Sequence, residues 1–272
     1  MINTYKNPGP RKHFDPDVVR ELRRGYYAAV TWADEQIGRV LREVDSLGLR
    51  DSTAVFFHAD HGYQLGEKNV WTKHTNFELG TRVPLMVRVP WSPVQRGTKI
   101  TDRIVELVDV YRTMAEVAGV SEPERGVEGK SFASVLFNIT RKKKQSFDTN
   151  NTAFSMYPRC PRDLTKLWDN SACKNVKRED IPFMGFSMRN LEWRYNVWLK
   201  FNGTQNRGVW EACDSGDDHD DAFCERELYP HAEGEDMSNF DAFEPVNLAG
   251  KKENAAVVRE LHQKIRRFFD TK

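Results

Sequence analysis

Residues 53–73, which read TAVFFHADHGYQLGEKNVWTK, decide the fold of this chain. The nearly unbroken apolar run at 53–58 is typical of a strand in the middle of a buried parallel sheet. The glycine of Asp-His-Gly then permits a turn, so Asp60 and His61 are expected at the carboxyl edge of that sheet, where open α/β folds bind their ligands. A carboxylate and an imidazole there predict a site for a divalent cation, with Lys73 available to meet an anion beside it.

The same residues also have a simpler interpretation. Asp-His-Gly after a strand is often only a turn, in which the aspartate accepts a hydrogen bond from a nearby backbone N–H. A lone lysine such as Lys73 is more often a solvated surface charge. The tripeptide by itself therefore leaves the choice between a metal site and a turn open.

A long amphipathic helix is predicted before this strand. Asp15 is a suitable N-cap, Pro16 fits the first helical position, and Gly48 is expected to end the helix. Apolar residues recur at three- and four-residue steps and predict one buried face, formed by Val19, Leu22, Tyr26, Val30, Ala33, Ile37, Val40, Val44 and Leu47.

The segments after the Asp-His-Gly loop continue an α/β pattern. Residues 84–89 predict a second central strand. Asp109 is expected to cap a helix that runs through Val117 and is closed by Gly119, and a shorter helix is predicted around 132–137.

A change of composition marks the carboxyl-terminal part. The basic run RKKKQ at 141–145 is interpreted as a solvated linker, with binding of a heparin-like polyanion as the alternative. Strands are predicted at 153–157, 183–188 and 193–201, the last two as a hairpin, and a helix at 255–269 is expected to pack on their sheet. The predicted fold class is α/β, a mixed sheet flanked by helices in residues 1–140 followed by a smaller antiparallel subdomain in residues 153–272.

Composition excludes several classes of protein. The 272 residues carry a net charge of +1, with 30% charged and 39% hydrophobic residues, so nothing favours nucleic acid as a partner. No apolar run approaches the roughly 18 residues of a membrane span. The first residues, MINTYKNPGPRKHF, contain no apolar stretch, so we expect no signal peptide in this chain.

The four cysteines, Cys160, Cys173, Cys213 and Cys224, permit three pairings, of which two local loops (160–173 and 213–224) are the simplest. Their even number, together with glycosylation sequons at Asn138, Asn150 and Asn202, modestly favours an oxidising compartment.

A series of motifs in this chain resembles the type I sulfatase family, and most closely its iduronate-2-sulfatase branch. The matching positions run in order through nearly the whole chain: Tyr26-Tyr27, Asp34, Ile37-Gly38-Arg39, Asp60-His61-Gly62, Leu65-Gly66-Glu67, Trp71-Thr72-Lys73, Arg82-Val83-Pro84-Leu85, Ser155-Met156-Tyr157-Pro158-Arg159, Met184-Gly185-Phe186-Ser187-Met188-Arg189, Trp193-Arg194-Tyr195-Asn196-Val197-Trp198 and Glu227-Leu228-Tyr229. The resemblance implies an alkaline-phosphatase-like fold, present here only in part.

The resemblance also implies roles for individual residues. In such enzymes a calcium ion anchors the sulfate ester, with Asp60 as a ligand and His61 as a ligand or a close sulfate contact. Lys73 is then the catalytic cation that offsets charge on the sulfate as its ester bond breaks. Candidate substrate-binding residues are the aromatic side chains that flank the loop and two basic groups suited to a polyanion, namely Tyr63, Trp71, His74 and Arg159.

One departure from the family pattern is serious. Sulfatases use a cysteine in a Cys-x-Pro-Ser-Arg stretch, oxidised to formylglycine, as the nucleophile, and none of the four cysteines opens such a stretch. We therefore expect this chain to correspond to the carboxyl-terminal part of a sulfatase and to be inactive alone. The expected function is removal of sulfate from glycosaminoglycan sugars such as heparan or dermatan sulfate, in the lysosome or outside the cell. The alternatives are a non-catalytic remnant that binds sulfated glycans and a phosphate or phosphonate monoester hydrolase of the same superfamily.

Overall fold

The computed structural model describes residues 14–94, 97–98, 103–121, 126–137, 151–161, 173, 175–213, 223–231 and 243–270. The predicted linker at 141–145 and the sequons at Asn138 and Asn150 lie outside these residues. Within them, no helix combines the length and apolar character needed to cross a membrane.

The regular elements alternate along the first half of the chain and are mostly strands in the second. The helices are α1 (Pro16–Ser46), α2 (Glu78–Thr81), α3 (Val108–Ala118), α4 (Ala133–Leu136) and α5 (Ala255–Asp270). The strands are β1 (Val55–His58), β2 (Gln64–Leu65), β3 (Trp71–Thr72), β4 (Leu85–Arg88), β5 (Ala153–Arg159), β6 (Phe183–Arg189), β7 (Trp193–Asn202), β8 (Arg207–Gly208) and β9 (Cys224–Pro230).

The chain divides into two compact units. The first unit comprises residues 1–73, 82–99 and 106–145, and the second comprises residues 74–81, 100–105 and 146–272. The segment that carries α2 therefore belongs to the second unit, although it lies early in the sequence.

Helix α1 begins as its sequence predicts. The Asp15 carboxylate accepts a hydrogen bond from the Asp17 N–H at 2.8 Å, and Gly48 lies just beyond the end in the left-handed region at φ 70°. The predicted apolar face, however, is mostly not buried: Leu22 is buried, whereas Val30 and Val40 are more than half exposed. The three-to-four-residue spacing thus predicted the helix correctly and its burial incorrectly.

The first unit contains a two-stranded antiparallel sheet. Strands β1 and β4 pair from Val55 opposite Arg88 to His58 opposite Leu85. The prediction of a strand after the loop is confirmed, but the prediction of parallel neighbours is wrong for this pair. An apolar run indicates burial and not direction, because a strand satisfies its backbone hydrogen bonds in either orientation.

Helix α3 ends as predicted and begins differently. Gly119 closes it in the left-handed conformation at φ 65°. Leu107 and not Asp109 occupies the N-cap position, and the Asp109 carboxylate instead accepts hydrogen bonds from the backbone N–H groups of Glu106 (2.8 Å) and Lys130 (2.7 Å). Asp109 therefore ties the start of α3 to a distant loop, which a local capping rule does not anticipate.

The second unit is an antiparallel sheet covered by α5. Strand β6 pairs with β5 and β7, and β8 and β9 both pair with β7, so the predicted hairpin is confirmed. Alternate residues of β6 and β7 face α5 and form the main core with it, together with Trp210 and with Leu228 of β9. The core residues of β6, β7 and α5 are Met184, Phe186, Met188, Tyr195, Val197, Leu199, Val258, Leu261 and Ile265. The opposite face of the sheet carries polar and aromatic side chains, and the segment 74–81 contacts it.

Two disulfides close local loops in the second unit. Cys160 is bonded to Cys173, and Cys213 is bonded to Cys224. All four cysteines of the chain are therefore oxidised in the arrangement that the sequence favoured as the simplest.

Candidate functional site

The loop after β1 returns on itself and brings Lys73 back to His61. Short strands β2 and β3 pair in an antiparallel manner, with Gln64 opposite Thr72. The turn between them requires left-handed backbone at Gly66 (φ 105°), where a Cβ atom would lie 2.9 Å from the Trp71 ring. Thr72 is itself held at φ 75°, an uncommon conformation for a β-branched residue, and it immediately precedes Lys73.

Three predicted site residues meet in this loop. The Lys73 ammonium nitrogen contacts His61 Nε2, and Asp60 Oδ2 lies 3.3 Å from the same ring nitrogen. His61 Nδ1 lies 2.8 Å from the carbonyl oxygen of Gly62, which can only accept, so the proton is on Nδ1. His61 Nε2 therefore faces both the Lys73 ammonium and the Asp60 carboxylate.

Helix α1 supports the loop from one side. Arg23 donates from Nε to the carbonyl of Leu65 at 3.0 Å, and its Nη2 lies 3.5 Å from Oε1 of Glu67. Glu67 is buried, and its other carboxylate oxygen accepts the Leu65 N–H at 2.5 Å. A buried carboxylate with these partners fixes the turn between β2 and β3, and so fixes the approach of Lys73.

The two aromatic residues that flank the loop pack against this same helical region. Tyr63 stacks on Tyr26 with ring centroids 5.0 Å apart, and Trp71 meets the edge of Phe14 at 5.8 Å. Burial, and then the neighbouring phenol of Tyr63, raise the pKa of Tyr26. Both Tyr63 and Trp71 remain half-buried, so each uses part of its ring surface to hold the loop.

The remaining predicted substrate residues lie in the second unit. The His74 ring lies 5.6 Å from the Tyr157 ring, and Arg159 Nη1 donates to the backbone carbonyl of His74 at 2.9 Å. The guanidinium of Arg159 also lies over the rings of Tyr157 and Trp198.

A buried ionic cluster in the second unit was not predicted from the sequence. Arg194, 2% exposed in its side chain, binds Glu78 through Nη2 and Glu244 through Nε, each at 2.5 Å. Burial opposes ionisation of Glu78, but the guanidinium groups of Arg194 and Arg189 outweigh it and hold the pKa of Glu78 at about 2. The available signal was a run of polar residues at alternate positions of β7, with Arg194 and Asn196 facing away from the core.

This cluster does not fit a metal ion, although its donor atoms are close enough for one. One ligand atom each from Glu78, His231 and Glu244 lies within 4.8 Å of the others. The guanidinium of Arg194, however, already bridges both carboxylates, and Arg189 adds a second positive charge beside Glu78, so the two guanidinium groups would repel a cation. The Asp60 carboxylate is by contrast 83% exposed, and its Oδ2 lies 3.3 Å from His61 Nε2.

Comparison with solved structures defines the class of fold. A phosphonate monoester hydrolase from Silicibacter pomeroyi matches with a TM-score of 0.66 at 20% identity, over 98% of this chain and 45% of that one. A protein solved in complex with its substrate D-glucosamine-2-N,6-O-disulfate matches with a TM-score of 0.61 at 25% identity, over 89% of this chain and 39% of that one. The chain thus has part of the alkaline-phosphatase-like fold.

Sequence comparison identifies the family. The family model named Sulfatase matches residues 3–120. Iduronate 2-sulfatase of Homo sapiens is 32% identical over 222 residues, which are 68% of this chain and 39% of that enzyme. The chain belongs to the type I sulfatase family, and it spans about two fifths of the length of this relative.

Proposed function

We propose that this chain contributes to the hydrolysis of sulfate esters on glycosaminoglycan sugars, as the carboxyl-terminal part of an enzyme like iduronate 2-sulfatase. The observation that carries the proposal is the contact of Lys73 with His61 Nε2, with Asp60 Oδ2 3.3 Å from that same nitrogen. Family membership and the relative named iduronate 2-sulfatase support the choice of sulfate over other esters.

In this proposal Lys73 binds the sulfate group. Its ammonium offers up to three N–H donors, and sulfate oxygens gain negative charge as the ester bond breaks. The contact with His61 holds the long, flexible lysine side chain in one place before substrate arrives, which lowers the entropic cost of binding.

Asp60 and His61 are proposed to hold a calcium ion. An exposed carboxylate is a hard oxygen ligand of the kind calcium prefers, and His61 Nε2, which Lys73 contacts in this structure, is the ring nitrogen that would turn to the ion or to the sulfate. When bound, the ion would supply positive charge that anchors the sulfate ester. Calcium takes six to eight oxygen ligands, so most of its ligands would come from other groups.

The substrate-binding roles of Tyr63, Trp71, His74 and Arg159 remain part of the proposal. Exposed ring surface on Tyr63 and Trp71 suits the apolar face of a sugar, and the two basic residues suit its acidic groups. The division into a catalytic portion at 1–140 and a smaller subdomain at 153–272 is likewise proposed.

We also propose that a separate nucleophile is needed for turnover. All four cysteines are held in disulfides, and none of them begins a Cys-x-Pro-Ser-Arg stretch, the motif in which this family forms formylglycine. The disulfides and the sequon at Asn202 support a glycoprotein of the lysosome or of the extracellular space. The 272-residue chain alone is then expected to show no hydrolysis of an aryl sulfate.

A calorimetric titration of the chain with a sulfated heparin disaccharide, in a buffer that contains calcium, tests this function. Lys73→Ala is expected to weaken binding about tenfold, because it removes charge-assisted hydrogen bonds to the sulfate. Lys130→Ala removes an exposed lysine of the same unit and is the matched control, with unchanged binding expected. Equal affinities for the two variants would exclude Lys73 as the sulfate contact.

The same titration separates the two alternatives. The sulfatase function is supported if the affinity for the disaccharide depends on Lys73 and a phenyl phosphonate does not compete with the disaccharide for binding. Effective competition by the phosphonate supports the monoester hydrolase, a function that so far has only a shared fold in its favour. Restoration of turnover by an added amino-terminal sulfatase segment would exclude a purely glycan-binding remnant.

A further inference from the structure

Residues 74–81 follow Lys73 directly and are held on the polar face of the second unit's sheet. Arg159 Nη1 donates to the carbonyl oxygen of His74 at 2.9 Å. Asn76 Nδ2 donates to a backbone carbonyl oxygen of β6 at 3.0 Å, and Asn76 is only 3% exposed, so water does not compete for this bond. The backbone is therefore fixed from the first residue after Lys73 onward.

A buried ionic group of Glu78, Arg194 and Glu244, here called the anchor cluster, holds the same segment a few residues further on. Arg194 Nη2 lies 2.5 Å from the Glu78 carboxylate and donates to Thr81 Oγ1 at 3.1 Å. Arg194 Nε pairs with Glu244 at 2.5 Å, and Glu244 Oε2 in turn accepts the backbone N–H of Glu78 at 2.9 Å. One guanidinium and one carboxylate thus hold both side chains and backbone of this segment.

The anchor cluster is better suited to selecting one position of the segment than to stabilising the sheet. Its side chains are at most 4% exposed, and burying charges costs hydration free energy that their pairing only partly offsets. Apolar packing of the same volume is often at least as stable, and the best-attested role of such buried groups is to specify one arrangement. The main core of the second unit lies on the other face of the sheet, against α5. The cluster therefore determines where residues 74–81 lie on the sheet.

Lys73 depends on this placement because its side chain is long and flexible. A hydrocarbon stem separates its ammonium from the backbone, so a backbone shift carries the ammonium away from His61 Nε2, which it contacts. Thr72, held at φ 75°, constrains the backbone before Lys73, and the anchored segment constrains the backbone after it. A displacement of about 1 Å at a group that binds a reacting centre can cost about 100-fold in rate.

We propose that Asn76 and the anchor cluster are positioning groups, which hold the Lys73 ammonium at His61 by fixing residues 74–81 on the sheet. They touch no substrate and act only through the backbone of Lys73. The role of Lys73 as the sulfate contact rests on the proposed function, whereas its contact with His61 is present without substrate. The position of the ammonium can therefore be tested apart from sulfate binding.

The test follows the ε-methylene signal of Lys73 by NMR in a chain that carries isotopically labelled lysine. Lys73→Ala identifies this signal by its absence, and His61→Ala gives its position when the contact is missing. Glu78→Gln removes a charge from the anchor cluster, and Asn76→Ala removes an uncharged anchor. Ile265→Ala is the matched control, because Ile265 is fully buried in the core on the other face of the sheet and its truncation destabilises the second unit without altering the anchored segment.

In Glu78→Gln and Asn76→Ala the Lys73 signal should move to the position seen in His61→Ala, and the affinity for the sulfated heparin disaccharide should fall about threefold or more. Ile265→Ala should keep the wild-type signal and the wild-type affinity, even if it loses as much stability as Glu78→Gln. A wild-type Lys73 signal in either anchor variant, or an equal movement in Ile265→Ala, would overturn the proposal. Asn76→Ala keeps every charge and decides the outcome if Glu78→Gln does not fold.

The positioning proposal and the proposed function can fail separately. Undiminished binding of the disaccharide by Lys73→Ala contradicts the proposed function, while the Lys73 signal still decides the positioning. If Lys73→Ala binds the disaccharide more weakly, an unchanged affinity in anchor variants whose Lys73 signal has moved overturns the positioning proposal.

Discussion

Replacing Glu78 by glutamine should destabilise the second unit strongly at neutral pH. The side chain of Glu78 is 4% exposed and pairs with Arg194 and Arg189, and the pKa of its carboxyl lies at about 2 instead of 4.5. Each unit of pKa difference corresponds to about 1.4 kcal/mol, so ionised Glu78 contributes about 3 kcal/mol. Glu78→Gln keeps an acceptor but removes the charge, which leaves two buried guanidinium groups less compensated.

The effect has a defined pH dependence. The pKa of Glu78 is lower in the folded protein than in the unfolded chain, so its contribution is fully present above about pH 5 and is lost as the pH falls toward 2. The difference in unfolding free energy between wild type and Glu78→Gln should therefore be about 3 kcal/mol at pH 7, smaller at pH 4 and close to zero near pH 2.

Urea unfolding followed by pulsed hydrogen exchange and mass spectrometry measures this effect locally. Peptides from 183–202 report β6 and β7 and so exclude changes in the first unit. Glu211→Gln is the matched control, because Glu211 pairs with Arg207 but its side chain is 58% exposed, and the expected loss is below about 1 kcal/mol. A Glu78→Gln loss no larger than that of the control, or one independent of pH between 7 and 3, would refute the reasoning.

Three further substitutions test other parts of the structure. Gly66→Ala should destabilise the loop by about 1–3 kcal/mol, because the new Cβ meets the Trp71 ring at φ 105°; unchanged hydrogen exchange across residues 64–73 would contradict this. Ile265→Ala should cost about 2–5 kcal/mol in urea unfolding, since Ile265 is fully buried between α5 and the sheet, and a loss below about 1 kcal/mol would show that α5 is not packed there. Tyr195→Phe should cost about 1 kcal/mol in the same assay, because the hydroxyl hydrogen-bonds to His262 Nδ1 at 3.0 Å; no change in the unfolding midpoint would argue against that bond.

The features that the sequence predicted well depend on local chemistry. The start of α1 is determined by Asp15 and Pro16, and the end of α3 by Gly119, each within a few residues of the helix it bounds. The hairpin of β6 and β7 follows from alternating apolar residues on either side of a short turn.

The features that the sequence did not predict depend on distant partners. The direction of β4 relative to β1 is a choice between two hydrogen-bonding patterns that the same apolar run can satisfy. The ion pair of Glu78 with Arg194 joins residues 116 positions apart, so neither residue carries a local sign of the other.

In the candidate site, too, the features set by neighbouring residues were predictable from the sequence, and those set by distant contacts were not. Asp60 and His61 are adjacent in sequence and follow a strand, so their common location was evident. The return of Lys73 to His61 depends on left-handed backbone at Gly66 and Thr72, which motif spacing does not reveal. The contacts of Tyr63 with Tyr26 on α1 and of Trp71 with Phe14, just before α1, depend likewise on tertiary packing.

Calcium binding to the Lys73→Ala variant tests the central claim most directly. If Asp60, His61 and Lys73 form one site, the Lys73 ammonium opposes a cation at the same Nε2 atom that it contacts. Lys73→Ala should therefore bind calcium more tightly than wild type in a calorimetric titration without sugar, although the same variant binds the sulfated disaccharide more weakly. Weaker or unchanged calcium binding in Lys73→Ala would contradict a shared site for the cation and the sulfate.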